Sequence, residues 1–135
     1  TYSGHPVSCA VALKTLEIYE RDKVFQHAKK VGEYFQNSIK EILKEDYVGE
    51  VRGIGLIAGI ELYKDPLNKI AFEEAGKAGK ILSDTCQKNG LIVRPILDTV
   101  ALCPPLIISE KEVDELTDKL KKSLQEAKDE IMKVH

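Results

Sequence analysis

The chain has 135 residues, enough for one domain that buries roughly two thirds of its unfolded surface. Hydrophobic residues make up 43% and charged residues 31%, which excludes compositional disorder, and no apolar run approaches the ~18 residues a spanning helix needs. With 20 basic and 22 acidic side chains the net charge is −2, so no electrostatic footprint for nucleic acid or an anionic membrane is present.

Pro6 suits the first turn of a helix, with Ser3 or Gly4 leading into it. Val7, Val11, Leu13 and Leu16 recur at near-helical spacing as far as Glu20. Asp22 is a candidate N-cap for a second helix, whose apolar stripe is Val24, Ala28, Val31, Phe35 and Ile42. Near Tyr47 the pattern changes. Gly49, Gly53, Gly55 and Gly59 interleave with β-formers, and Leu56, Ala58, Ile60 and Leu62 alternate as one face of a strand. Gly59 falls on the other face, where a close packing approach is expected. Asp65-Pro66 ends the strand.

Residues 71–89 read as a helix closed by Gly90, although Gly76 and Gly79 each cost about 1 kcal/mol relative to alanine. Residues 91–96 and 99–103 read as two strands joined by the tight link Leu97-Asp98, and Pro104-Pro105 stops the second. Ser109 and Glu112 form a capping box. The long helix it opens carries Val113, Leu116, Leu120, Leu124, Ala127 and Ile131 on one face. The order predicts an α+β fold: a small, largely antiparallel sheet with helices packed on one face, preceded by two helices. Leu56, Ala58 and Ile60 are expected against Leu116 and Leu120 of the last helix.

Cys9, Cys86 and Cys103 cannot all pair with one another and lack metal-ligand spacing, so no metal site is expected. They read as reduced thiols in a reducing, cytoplasmic setting, with Cys103 as a buried small apolar residue. The single methionine is Met132, and the chain opens at Thr1. We expect the C-terminal piece of a longer protein, with residues 1–135 forming its small domain.

Three segments narrow the class. They are Thr1-Tyr2-Ser3-Gly4-His5-Pro6 with the following Val7-Ser8-Cys9-Ala10, then Val51-Arg52-Gly53-Ile54-Gly55-Leu56, and finally 90–95 with 99–106, which hold Arg94-Pro95 and Cys103-Pro104-Pro105-Leu106. In this order and spacing the chain resembles the C-terminal part of class III, fold-type I aminotransferases, closest to the ω-amino acid:pyruvate transaminase branch. The resemblance implies pyridoxal 5'-phosphate as cofactor in the parent enzyme and not bound to this piece alone. It implies a homodimeric parent that moves an amino group between an amine or ω-amino acid and a keto acid such as pyruvate. Thr1 matches the threonine whose hydroxyl and N–H hold the cofactor phosphate from across the dimer interface, a task suited to a loop before a helix. Arg94 matches the arginine that receives the substrate carboxylate, where a guanidinium fork binds both oxygens.

Arg94 is also one of 3 arginines beside 17 lysines, so an arginine in an apolar strand-and-turn stretch points to a geometric need. Arg52 reads as a structural ion-pair partner. His5 reads as a packing and hydrogen-bonding residue of the motif, His27 as a surface residue, and His135, the last residue, as disordered. Many relatives carry glycine near the turn occupied here by Leu97-Asp98, so the loop bearing Arg94 is expected to differ in shape. The family's cofactor-bearing lysine and the aspartate at the cofactor's ring nitrogen lie upstream of the Thr1 motif. No residue of this chain is therefore assigned a catalytic role, and the piece alone is expected to be inactive. The alternatives are an ornithine-type transaminase or an aminomutase within the family, or a non-catalytic α+β binding module outside it.

Overall fold

The computed structural model describes residues 3–134. Helix α1, Pro6–Arg21, is followed by α2, Val24–Lys40, and a short 3-10 turn, Glu41–Lys44. Strands β1, Val48–Ile54, and β2, Ile57–Leu62, precede helix α3, Lys77–Lys88. Strands β3, Arg94–Ile96, and β4, Thr99–Leu102, lead to the last helix, α4, Glu110–Ile131. The four strands form one antiparallel sheet in the order β1-β2-β4-β3. The α+β expectation holds, with α2, α3 and α4 packed on one face.

The core lies between that face and the helices. Ala58, Ile60 and Leu62 of β2 and Val100 and Leu102 of β4 are buried beneath Phe35 and Ile39 of α2, Leu82 of α3 and Leu120 and Leu124 of α4. Tyr47 is buried among them, and its hydroxyl donates to the Leu124 carbonyl at 2.6 Å. The capping box of α4 forms as expected: the Ser109 hydroxyl accepts from the Glu112 N–H and the Glu112 carboxylate accepts from the Ser109 N–H at 2.8 Å. The buried stripe of α4 runs Val113, Thr117, Leu120, Leu124, Ala127 and Ile131. Leu116 is only half-buried, whereas Thr117 takes an inward position and donates its hydroxyl to the Val113 carbonyl at 2.8 Å. Helix α1 buries none of its residues.

Several expectations are corrected. The glycine-rich stretch is two strands, not one. Gly55, at φ +56°, and Leu56 form the two-residue turn of a hairpin, so Leu56 is buried from a turn and not from the strand. In strand β1 the glycines and charged residues blur the period of two. Asp22 ends α1 and does not cap α2; its carboxylate is held by the Arg21 guanidinium at 2.7 and 2.8 Å, and Lys23, at φ +52°, turns the chain into α2. Helix α3 starts at Lys77 because Gly76, at φ +85°, breaks the helical path before it. Strand β3 is confined to three residues. Gly59 meets only ordinary contacts, the nearest being Thr99 Cγ2, so no close approach occurs there.

The close approach lies elsewhere. Gly32 of α2 faces Gly55, where a Cβ would stand 2.8 Å from the Gly55 Cα. The Gln36 side-chain amide then donates to the Gly55 and Ile57 carbonyls at 2.8 and 3.0 Å, pinning the hairpin turn to α2.

Candidate substrate-carboxylate site

In an antiparallel pair, directly opposed residues lie on the same face of the sheet. Arg52 opposes Gly59, Gly59 opposes Ala101, and Ala101 opposes Arg94. The two arginines therefore end one cross-strand row on the face away from the helices, with two small residues between them. Three strand spacings separate their backbones by roughly 14 Å. No residue of that row is buried.

The two guanidinium groups differ in state. Arg52 donates to Glu61 at 2.5 Å and to Glu50 at 3.2 Å, and its hydrogen bond to Glu61 holds that carboxyl below its ordinary range. Arg52 is the structural ion-pair partner expected. Arg94 is exposed and, among the described residues, forms no ion pair and no side-chain hydrogen bond. A guanidinium that its own domain leaves uncompensated can offer its full fork to an external carboxylate.

The strand that carries Arg94 has little of its own to hold it. It is three residues long, lies at the sheet edge and contains Pro95, which has no N–H to give. Its anchor is the link Leu97-Asp98. The Asp98 carboxylate accepts from the Gly76 N–H at 2.8 Å and the Gly79 N–H at 3.1 Å, at the N-terminus of α3. The Asp98 carbonyl accepts from the Leu62 N–H at 2.9 Å, tying the same turn to the end of β2. Leu97 sits at φ +52°, a conformation an ordinary side chain adopts only when its surroundings impose it. The sequence marked Gly76 and Gly79 only as helix-weakening residues. Gly76 is the N-cap of α3 and Gly79 lies in its first turn, and that spacing of three is the sign in the sequence that a backbone or carboxylate docks there.

Thr1 lies outside the described residues, as does His135. After it, Gly4 turns at φ +74° and His5 caps α1, its Nδ1 accepting from the Ser8 N–H at 3.3 Å. The first turn of α1 holds no acidic side chain, so nothing there opposes an anion such as a cofactor phosphate. Among the described residues α1 rests on α2, whereas β3 rests on β4 and α3. Two further placements differ from expectation. Cys103 is exposed, because the chain leaves the sheet after Leu102, and His27 is half-buried with its Nε2 donating to the Ile108 carbonyl at 2.8 Å.

Residues 1–124 match the model of the family described as Aminotransferase class-III. The chain belongs to the class III aminotransferases. Among curated class III relatives, it is 37% identical over 131 residues to a probable gamma-aminobutyrate transaminase 3, mitochondrial, of Oryza sativa subsp. indica, covering 97% of this chain and 26% of that protein. It is 37% identical over 127 residues to the putrescine–pyruvate aminotransferase of Pseudomonas aeruginosa, covering 93% of this chain and 28% of that protein. Among solved structures, a transaminase with L-Ala matches at 40% identity and a TM-score of 0.92, over 97% of this chain and 30% of that one. An omega transaminase from Pseudomonas jessenii in complex with PMP matches at 35% identity and a TM-score of 0.91, over 96% of this chain and 29% of that one. The chain thus spans between about a quarter and a third of the length of these class III relatives. Among the described residues no helix is long and apolar enough to cross a membrane.

Proposed function

We propose that residues 1–135 form the C-terminal small domain of a homodimeric, pyridoxal 5'-phosphate-dependent aminotransferase. The parent moves an amino group between an amine or ω-amino acid and a keto acid such as pyruvate. The observation that carries this reading is the contrast within one sheet row: Arg52 is compensated by Glu61 and Glu50, and Arg94 stands exposed without a partner among the described residues. The names of the relatives fit it. Gamma-aminobutyrate is an ω-amino acid with a carboxylate, and pyruvate is a carboxylate-bearing acceptor.

In this reading Arg94 binds the substrate carboxylate through two parallel N–H donors and so fixes which end of the substrate faces the reacting centre. Thr1 holds the cofactor phosphate through its hydroxyl and N–H, ahead of an α1 first turn free of acid. The cofactor, when bound, supplies the electron sink for the amino transfer. The catalytic lysine belongs to the rest of the parent. Three cysteines, Cys9, Cys86 and Cys103, cannot all pair within the chain, which supports a reducing compartment such as the cytoplasm.

The test uses the full-length enzyme and half reactions with one carboxylate donor and one simple amine donor. Arg94→Ala should lower kcat/KM for the carboxylate donor by about tenfold or more, since hydrogen bonds to a charged group contribute roughly 1.5–3 kcal/mol each. The simple amine should be spared. Arg94→Lys should rescue in part, because an ammonium is a point charge without the fork. Equal losses for both donors would make Arg94 a residue of the fold and defeat the reading.

A further inference from the structure

We propose that Asp98 is a positioning residue for the substrate carboxylate, acting through the hairpin that holds Arg94; the proposal rests on the reading of Arg94 given above. Strand β3 lacks the means to fix its own position. It has one neighbouring strand, three residues, all exposed, and a proline in the middle. A strand of this kind frays unless something beyond its ladder restrains it. The restraint comes from the two-residue turn that follows. Asp98 makes three hydrogen bonds from that turn: its carboxylate takes the Gly76 and Gly79 N–H groups, and its carbonyl takes the Leu62 N–H.

These bonds do two things at once. The carboxylate satisfies N–H groups that the first turn of α3 leaves without an intrahelical partner, and its charge lies at the positive end of the helix dipole. The same bonds fix the turn against a helix buried through Ala78, Leu82 and Cys86, so the reference frame for β3 is the core itself. From the turn, Ile96 opposes Thr99, Pro95 opposes Val100 and Arg94 opposes Ala101, so two further register positions carry that frame to Arg94. The nearest other arginine, Arg52, stands on the long hairpin β1–β2 and needs no such latch. Asp98 contacts neither substrate nor cofactor in this account. Its effect is on where the guanidinium stands, and binding energy that depends on a two-point fork falls quickly with displacement.

The experiment uses the full-length, cofactor-loaded enzyme with Asp98→Ala, Asp98→Asn, Arg94→Ala and the Asp98→Ala/Arg94→Ala double variant. Half-reaction kcat and KM are measured for a carboxylate donor and a simple amine donor. Hydrogen exchange is followed in a peptide covering residues 91–103. Asp98→Ala should raise KM for the carboxylate donor by roughly tenfold, the scale of losing hydrogen bonds to a charged acceptor, and leave the amine donor within about twofold. Asp98→Asn keeps one acceptor oxygen and should fall between. Exchange in 91–103 should rise in the same order. In the Arg94→Ala background, Asp98→Ala should add no further loss for the carboxylate donor, since residues acting in series are not additive.

If Arg94→Ala is selective and Asp98→Ala is not, the latch is refuted and the Arg94 reading stands. If Arg94→Ala itself is unselective, both fall. Additive losses on both donors would reduce Asp98 to a fold residue, and that also overturns the proposal. If Asp98→Ala does not fold, the Asp98→Asn variant decides by the same criteria.

Discussion

The carbonyl oxygen of Leu97 occupies the space that a Cβ at position 79 would need, and Gly79 leaves that space open. The turn between β3 and β4 is therefore seated directly on the backbone of α3. A glycine inside a helix is ordinarily a cost, and replacing it with alanine is ordinarily a gain of about 1 kcal/mol.

Here the sign should reverse. Gly79→Ala forces apart two backbones, with no flexible side chain to give way, and should destabilise the chain by about 1–3 kcal/mol as overpacking does. Urea unfolding of wild type and variant checks this, and a gain in midpoint would mean that the turn is not seated on Gly79.

Leu120 and Leu116 lie one turn apart on α4 and should respond differently. Leu120 is fully buried, so Leu120→Ala should cost about 2–5 kcal/mol through the cavity it leaves. Leu116 only flanks the core, so Leu116→Ala should cost about 1 kcal/mol. Equal losses at the two positions would show that both face the core alike.

Tyr47 should carry a pH dependence on the alkaline side. Burial raises its hydroxyl well above the ordinary value of 10.0. The group is neutral in the fold and ionises first in the unfolded chain. Its contribution is complete below pH 10 and declines as pH rises from there towards the folded value. Tyr47→Phe also removes the hydrogen bond to Leu124 and should cost about 1 kcal/mol at neutral pH. Stability measured from pH 8 to 11 should fall more steeply in wild type than in Tyr47→Phe; parallel curves would refute the buried-hydroxyl account.

Arg52 is the control for Arg94. Its pairs with Glu61 and Glu50 are exposed, so Arg52→Ala should change stability by no more than about 1 kcal/mol. In the full-length enzyme it should leave the ratio of carboxylate to simple-amine donor kcat/KM unchanged. A shift in that ratio comparable to the effect of Arg94→Ala would mean that both ends of the row read the substrate.

Much of the fold was legible because its signals are local. Pro6, Ser109 with Glu112, and Gly90 mark helix ends by backbone chemistry within a few residues, and the apolar stripes of α2 and α4 follow from the helical period. Strand β1 was not legible: Glu50, Arg52 and two glycines, Gly49 and Gly53, spoil the alternation, and only pairing with β2 makes it a strand. Thr117 is buried while Leu116 only flanks the core, and the Thr117 hydroxyl is satisfied by the Val113 carbonyl of its own helix, an option that hydrophobicity counting does not weigh.

The sequence by itself determined the starts of α1 and α4, the end of α3, the capping box, the antiparallel character of the sheet and, through the motif around Arg94 and the scarcity of arginine, which cation to single out. Only the tertiary structure decided that Arg52 is compensated and Arg94 is not, and that Asp98 latches the Arg94 hairpin to a helix 19 and 22 residues away in the chain. The reason is physical. Periodicity and capping report the preferences of neighbours along the backbone, whereas the state of a charge is set by carboxylates and N–H groups that only folding brings within hydrogen-bond reach.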